Sequence, residues 1–131
     1  MNELKYIGII HSPLKRIEDC PLLEHENAPE AILEIFPEFQ DGIKNINTGS
    51  EIILFTWLHC ADRSILTTRP RNHPTAPLTG VFSTRSPHRP NPVGIHFVKV
   101  LAVSDGNKLT VSGLEVLDQT PLLDIKPDLK K

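Results

Sequence analysis

The clearest signal for the fold lies in residues Gly94–Leu117, GIHFVKVLAVSDGNKLTVSGLEVL. Its first half is apolar and rich in β-branched residues, and one parity of it carries Ile95, Phe97, Lys99, Leu101 and Val103. The next four residues, SDGN, contain the Asp-Gly pair that tight hairpin turns favour. From Lys108 the apolar alternation resumes, and Gly113 interrupts it where we expect a β-bulge. The segment therefore predicts a β-hairpin over residues 95–117.

More short strands are predicted on the N-terminal side of this hairpin. Residues 4–10 (LKYIGII), 31–36 (AILEIF) and 52–58 (IILFTWL) are short apolar runs bounded by polar or proline residues. We expect the third run to be buried on both faces, with Trp57 in the core. Pro37 is suited to the first position of a short helix. Residues 14–28 and 64–80 carry no clear period and are predicted to be loops. We expect a short tail after residue 117, with bends at Pro121 and Pro127.

Proline content and the spacing of these elements together define the fold class. Proline accounts for 12 of the 131 residues, which favours short strands and shaped loops over long helices. No strand–helix alternation and no Gly-x-Gly-x-x-Gly motif is present, so a Rossmann fold is disfavoured. We therefore expect an all-β fold over residues 1–131: a compact single-domain β-barrel with one or two short helices. A β-sandwich is the alternative.

The composition bears on the cellular location of the protein, on its cysteines and on metal binding. No window approaches the roughly 20 consecutive apolar residues of a membrane span, and the N-terminus lacks the apolar core of a secretory signal. We therefore expect a cytoplasmic protein without a membrane partner. The two cysteines, Cys20 and Cys60, lack Cys-x-x-Cys spacing, so we interpret them as free thiols. The histidines also lack ligand spacing, and no metal site is predicted.

The charge is distributed unevenly along the chain. The net charge is −2, yet no Asp or Glu occurs from Arg63 to Ser104. That segment has a formal charge of +6, and the rest of the chain carries −8. Such asymmetry is typical of a positive face that binds a polyanion, although the arginines could instead pair with carboxylates elsewhere in the fold. The predicted contacts to RNA phosphates are Arg63, Arg69, Arg71 and Arg89.

The segment Gly80–Gly94, GVFSTRSPHRPNPVG, concentrates the polar chemistry. We expect Val81 and Phe82 to form a short buried anchor. The residues that follow carry two arginines and several hydrogen-bonding groups, separated by three prolines that restrict the backbone. A stiff loop that presents such groups is typical of a binding site. The alternative is a turn stiffened by proline whose charges are simply solvated.

This segment, which we call the signature loop, resembles the block RS-x-x-RPNP-[IV]-G of the TsaA/TrmO-like family. The resemblance extends to YIGIIHSP at residues 6–13, to WLH at residues 57–59, to Arg69-Pro70, and to LDQTPLLDIKP at residues 117–127. It covers nearly the whole chain in the same order. It implies a β-barrel that dimerises, binds S-adenosylmethionine (AdoMet) and methylates N6 of the threonylcarbamoylated adenosine 37 beside the tRNA anticodon.

The resemblance also implies which residues form the AdoMet pocket. Matched by position, they are His59, Cys60, Arg85, Ile95, Thr120, Pro121, Leu122 and Leu123. An arginine such as Arg85 suits the methionine carboxylate, and Asp118 and Asp124 are the acids available near the sulfonium. His59 is a candidate general base, although it could equally serve only as a hydrogen-bond partner of AdoMet. The family loop that would match residues 24–26 is not recognisable here.

Two departures from the family pattern weaken the inference about RNA specificity more than the inference about AdoMet. Gln119 stands where the family has glycine, and Asp128 stands where it has tyrosine. Two other functions therefore stay open. The chain could be a non-catalytic module that binds AdoMet or RNA, or a methyltransferase that acts on another small substrate.

Overall fold

A computed structural model of the protein describes residues 2–16, 28–69 and 74–130. The predicted site residue Arg71, together with Cys20 and His73, lies outside the described residues. Eight strands are present in the described part: β1 Gly8–His11, β2 Ala31–Ile35, β3 Glu51–Trp57, β4 Thr67–Thr68, β5 Thr79–Gly80, β6 Val93–Ser104, β7 Lys108–Val111 and β8 Thr120–Pro127. Two short 3₁₀ helices, Pro37–Ile43 and Val81–Ser83, accompany them.

Six of the strands close into a barrel in the order β1-β2-β7-β6-β3-β8, and every neighbouring pair is antiparallel. Strands β4 and β5 form a separate two-stranded sheet. The prediction of an all-β barrel with one or two short helices, rather than a Rossmann fold, is confirmed. Because the barrel is closed, the six strands leave no unpaired sheet edge.

The core fills the inside of the barrel. Alternate residues of each strand point inward, and Ile10, Leu33, Leu54, Leu109 and Leu122 are completely buried there. Fully burying one such aliphatic side chain stabilises the fold by roughly 1.5–3 kcal/mol. The same alternation leaves the other half of each strand on the outside of the barrel.

This one-sided packing corrects the prediction for residues 52–58. Strand β3 alternates between buried Ile52, Leu54 and Thr56 and the half-buried residues between them. Trp57 is on the outer side, so its predicted place in the core is wrong. A barrel strand packs its inner face against the core, so the outer residues of β3, Trp57 included, are only partly buried.

The hairpin of β6 and β7 is present, but its irregularity lies elsewhere than predicted. The register shifts between Val100 and Ala102, so the extra residue is Leu101. Strand β7 ends at Val111, before Gly113. A Cβ at Gly113 would lie 2.7 Å from the carbonyl oxygen of Ala28, which explains the glycine as a close approach of two backbones.

The two ends of the chain also differ from their predictions. The first strand begins at Gly8 rather than at residue 4. The tail is the eight-residue strand β8, which completes the barrel between β1 and β3. Pro121 and Pro127 are its second and last residues, positions at which a missing N–H costs the sheet little.

Among the described residues, no helix combines the length and apolar character needed to cross a bilayer.

Candidate functional site

Strand β3 brings the two informative segments of the sequence to the same end of the barrel. On one side Trp57 pairs with Val93, near the end of the signature loop, and the backbone N–H of Leu58 donates to the Pro92 carbonyl at 2.8 Å. On the other side Thr56 pairs with Leu122 near the start of β8. The signature loop and the first residues of β8 therefore flank β3, about 10 Å apart at the usual strand spacing.

An apolar surface with one acid runs across the outside of these three strands. Phe55 of β3 pairs with Ile95 of β6 and with Asp124 of β8, so the three residues form one row. Phe97 pairs with Ile53 in the next row, and its side chain is 53% exposed. We call this surface, formed by Ile53, Phe55, Ile95, Phe97 and Asp124, the outer face.

The predicted AdoMet residues divide into accessible and buried ones. His59 and Cys60 are exposed just after β3, and Ile95 and Leu123 are half-buried. Thr120, Pro121 and Leu122 are buried. Leu122 packs inside the barrel and the Thr120 hydroxyl donates to the Leu117 carbonyl at 2.6 Å. Contacts from Thr120 and Leu122 to a ligand outside the barrel would therefore have to come from the backbone.

Arg89 braces the signature loop from within. Its Nε donates to the Ser86 carbonyl at 2.7 Å, and its Nη2 donates to the carbonyls of Val81, also at 2.7 Å, and of Thr84. Thr84 adds a hydrogen bond from its hydroxyl to the same Val81 carbonyl at 3.0 Å. These contacts hold the loop in one shape and occupy much of the Arg89 guanidinium.

Arg85, in contrast, is exposed, and its guanidinium makes no hydrogen bond to any other residue in the described ranges. It lies four residues before Arg89 in the same braced loop. The loop therefore fixes the backbone of Arg85 while its side chain stays available for an anionic ligand. A guanidinium can bind a carboxylate through two parallel hydrogen bonds.

Arg63 joins the turn after β3 to the signature loop. Its Nε donates to the Pro90 carbonyl at 2.6 Å, its Nη2 donates to the Asn91 side chain at 3.3 Å, and its guanidinium lies 5.0 Å from the centre of the Trp57 ring. The backbone N–H of Asp62 adds a hydrogen bond to the His88 ring at 2.9 Å. The turn and the loop thus form one connected surface beside β3.

The remaining predicted RNA contacts are less well defined. Arg69 donates to the carbonyl of Ala76, so its guanidinium is already in contact with the protein backbone. Within residues 2–16, 28–69 and 74–130, no group of three or more His, Cys, Asp or Glu is arranged to hold a metal ion. The groups around this end of β3 are therefore arginines, apolar side chains and exposed acids.

Comparison with known proteins places this architecture in a family. Residues 9–131 match the family model described as the tRNA-methyltransferase O N-terminal domain. The chain belongs to this family. The predicted resemblance to TrmO-like proteins is therefore confirmed, and the barrel described above is the family domain as this sequence forms it.

Similar proteins include relatives in archaea and solved structures of TrmO. A probable S-adenosyl-L-methionine-binding protein of Archaeoglobus fulgidus is 43% identical over 129 residues, covering 95% of this chain and 33% of that protein. One of Methanothermobacter thermautotrophicus is 40% identical over 124 residues, covering 95% and 88%. The crystal structure of TrmO from Pseudomonas aeruginosa matches with a TM-score of 0.75 at 30% identity, covering 98% of this chain and 55% of that one. The chain thus spans a third to about half of some of these longer relatives.

The family's glycine before Thr-Pro has a structural explanation in this chain. Gln119 occupies that position with a φ of 70°, the left-handed conformation that glycine adopts most easily. Its side-chain amide donates to Nδ1 of His11 at 3.1 Å, and Nε2 of His11 contacts Glu34 at 2.7 Å. The substitution therefore keeps the backbone turn and adds a contact between the start of β8 and the end of β1.

The structure separates the two acids that the sequence left as equivalent. Asp118 accepts a hydrogen bond from the Ser12 backbone N–H at 2.8 Å and pairs with Lys15 at 2.8 Å. Chiefly through the hydrogen bond from Lys15, and then that from Ser12, the pKa of Asp118 is lowered to about 2. Asp124 lies on the outer face, with a carboxylate oxygen 3.5 Å from the Lys126 ammonium. Asp124 is therefore the acid beside the apolar row.

Proposed function

We propose that this chain binds AdoMet on the outer face and transfers its methyl group to tRNA, at N6 of the (threonylcarbamoyl)adenosine 37 beside the anticodon. The observation that carries the proposal is the pairing of β3 with both β6 and β8. That pairing puts Asp124 beside the Phe55–Ile95 pair, and it joins the end of the same strand to the signature loop that carries Arg85.

The residues present suit the chemical parts of AdoMet. Arg85 would hold the methionine carboxylate, and Phe55 with Ile95 would offer an apolar contact to the adenine. Asp124 would lie nearest to a sulfonium. His59, Cys60 and Leu123 would border the ligand, and the backbone of Thr120, Pro121 and Leu122 would read the edge of the base. The names of the archaeal relatives, which describe binding of S-adenosyl-L-methionine, support this part of the proposal.

The chain's own contribution to the reaction would be mainly alignment. When bound, AdoMet supplies an electrophilic methyl group. The protein then has to hold the attacking N6 atom in line with it, and such positioning can lower a barrier by roughly 7–11 kcal/mol. His59 is exposed at the end of β3 and could accept the N6 proton, or it could hydrogen-bond AdoMet without taking part in proton transfer.

The tRNA part of the proposal rests on the charge distribution and on the family. Residues 63–104 hold six cationic side chains and no acid. We propose that Arg63, Arg69, Arg71 and Arg89 contribute to this cationic surface. Because Arg63 and Arg89 already donate to loop carbonyls, their part in phosphate binding would be shared with a structural one. The reaction would take place in the cytoplasm.

We also propose that the working form is a homodimer. The outer face is open in one copy of the chain, and Phe97 is exposed on it. A ligand pocket commonly buries 70–90% of its ligand, which this surface would not do alone. A second copy laid against the outer face would supply the missing wall.

The function is tested by incubating the protein with isotope-labelled AdoMet and total tRNA, followed by mass spectrometry of the nucleosides. A labelled N6-methyl mark on adenosine 37 derivatives is the expected result. AdoMet binding measured by calorimetry without any transfer would favour the second candidate, a non-catalytic AdoMet-binding module, which the names of the archaeal relatives also describe. Transfer to a small molecule but not to tRNA would favour the third candidate, a methyltransferase that acts on another small substrate.

Two site variants sharpen this experiment. Arg85→Ala removes the free guanidinium and should weaken AdoMet binding about tenfold or more, because a hydrogen-bonded charge pair is lost. Lys44→Ala removes an exposed charge at the end of the first 3₁₀ helix and should change nothing. If His59→Gln keeps both normal turnover and normal AdoMet affinity, then neither proposed role of His59 survives.

A further inference from the structure

The aromatic ring of the signature loop points away from the protein. The sequence predicts that Val81 and Phe82 form a buried anchor, yet only Val81 is buried, and Phe82 is 79% exposed. The prediction for Phe82 is wrong because the chain turns through a 3₁₀ helix at Val81–Ser83, so that neighbouring side chains point in different directions. The mechanism proposed above gives this exposed ring no role.

The backbone that carries Phe82 is fixed on both sides. The N–H of Val81 donates to the Leu66 carbonyl at 2.9 Å. The carbonyl of Val81 accepts three hydrogen bonds, from the backbone N–H and the hydroxyl of Thr84 and from the Arg89 guanidinium. The buried Val81 side chain anchors the same residue. An exposed ring on so constrained a turn loses little conformational entropy when a flat ligand stacks on it.

We propose that Phe82 is a stacking platform for an unpaired base of the RNA substrate, a role that rests on the proposed function. Proteins that bind single-stranded nucleic acid combine cationic segments with exposed aromatic rings on which bases stack. Phe82 lies inside the acid-free cationic segment from Arg63 to Ser104, and its own loop carries the free guanidinium of Arg85. An anticodon loop offers unpaired bases joined by phosphates, which matches both features.

The charge of this segment favours RNA, rather than a second copy of the chain, as the partner that binds at Phe82. A two-fold symmetric contact at Phe82 would bring the same acid-free, arginine-rich loop of each copy together. Like charges placed opposite one another oppose association. Leu66, whose carbonyl accepts the hydrogen bond from Val81, and Leu78, which directly precedes β5, are also exposed.

The test compares four variants in binding to a labelled RNA hairpin with the sequence of an anticodon stem–loop. Phe82→Ala and Phe82→Leu remove the aromatic face, while Phe82→Tyr keeps it. Leu129→Ala, which changes another highly exposed apolar residue, is the control. The RNA dissociation constant is measured by fluorescence anisotropy. AdoMet affinity is measured by calorimetry, and the oligomeric state by analytical ultracentrifugation.

Stacking predicts that Phe82→Ala and Phe82→Leu weaken RNA binding by about 5- to 150-fold, the range found for loss of one aromatic–base contact. Phe82→Tyr and Leu129→Ala should stay within twofold of the unmodified chain, and AdoMet affinity should not change. RNA affinity retained by Phe82→Leu or by Phe82→Ala would overturn the stacking role. Dissociation of a dimer in Phe82→Ala would assign the ring to a second copy instead and would also overturn it.

The same experiment separates this inference from the function on which it rests. If the unmodified chain methylates tRNA but Phe82→Ala binds the hairpin equally well, only the stacking role fails. If the unmodified chain binds AdoMet but neither binds nor methylates RNA, the proposed tRNA activity fails first and the role of Phe82 fails with it.

Discussion

Replacing Arg89 should damage the AdoMet site even though Arg89 need not touch the ligand. The guanidinium donates to the carbonyls of Ser86 and Val81, each at 2.7 Å, and to that of Thr84. Arg89→Ala removes all three hydrogen bonds. The signature loop, including Arg85, then loses the contacts that hold its shape.

The size of the effect follows from those three contacts. A hydrogen bond from a charged donor contributes roughly 1.5–3 kcal/mol, but these carbonyls are near the surface and can regain water. We therefore expect the set to stabilise the ordered loop by about 2–3 kcal/mol in total. If the ordered loop is the form that binds, the AdoMet dissociation constant rises in proportion to the loss of that form, by up to about 30- to 150-fold.

Two measurements check this prediction. Calorimetry gives the AdoMet dissociation constant, and hydrogen exchange with mass spectrometry reports the protection of residues 81–89. Arg89→Lys should give a loss close to that of Arg89→Ala, because an ammonium cannot donate to three carbonyls in the planar arrangement of a guanidinium. Lys44→Ala is the control for loss of charge.

If Arg89→Ala leaves both AdoMet affinity and loop protection unchanged, then Arg89 does not hold the signature loop in the form that binds AdoMet. A variant that lost only RNA affinity would mean that Arg89 acts chiefly as a phosphate contact, as the sequence alone predicts. Weakened AdoMet binding together with faster exchange in residues 81–89 would assign the residue to the loop.

Three further predictions concern packing, pH and ligand charge. Gly8→Ala places a Cβ 2.4 Å from a backbone oxygen of β2 and should lower the free energy of unfolding by about 1–3 kcal/mol. Gly42→Ala, with open space around the new Cβ, should leave the free energy of unfolding unchanged. Urea titration measures both. Because the pKa of Asp118 is lowered from 3.8 to about 2, its stabilising contribution is complete above about pH 4 and is lost as the pH falls through 2. Urea titrations between pH 5 and 2 should therefore show a smaller acid loss in Asp118→Asn, and an equal loss would contradict the pairing. Asp124→Asn should reduce the calorimetric preference for AdoMet over S-adenosylhomocysteine, which lacks the sulfonium charge, about fivefold, as expected for loss of about 1 kcal/mol between unit charges 4 Å apart in water. An unchanged preference, or the same change in Asp105→Asn, would remove Asp124 from the site.

Local sequence signals predicted the elements that depend on local chemistry. The Asp-Gly turn defined the β6–β7 hairpin, and Pro37 began the short helix, since proline favours the first helical position. Strand β2 was predicted within one residue of its observed end. These features require only neighbours in the chain, which a pattern of residue types can report.

Features that depend on long-range pairing could not be predicted in this way. The outer face exists because Phe55 meets both Ile95 and Asp124, and that register is set by barrel closure between strands far apart in sequence. Phe55 and Phe97 were therefore missed as candidate site residues. The exposure of Phe82 and the strand character of the tail also depend on how distant segments meet.

The motifs predict a site shared by the signature loop and the start of the tail. The signature loop and the start of β8 do flank one strand, as a shared site requires. The sequence could not show that Arg89 faces inward while Arg85 is free, because the two arginines belong to the same motif and differ only in their contacts. It also could not separate Asp118 from Asp124.

The most direct test of the account is the position of AdoMet in a crystal structure of the protein grown with it. We expect ligand density on the outer face, with the carboxylate at Arg85 and the adenine beside Ile95. Density in the open cleft of about 470 Å³ lined by His11, Lys15 and Asp118, on the other side of β8, would contradict it.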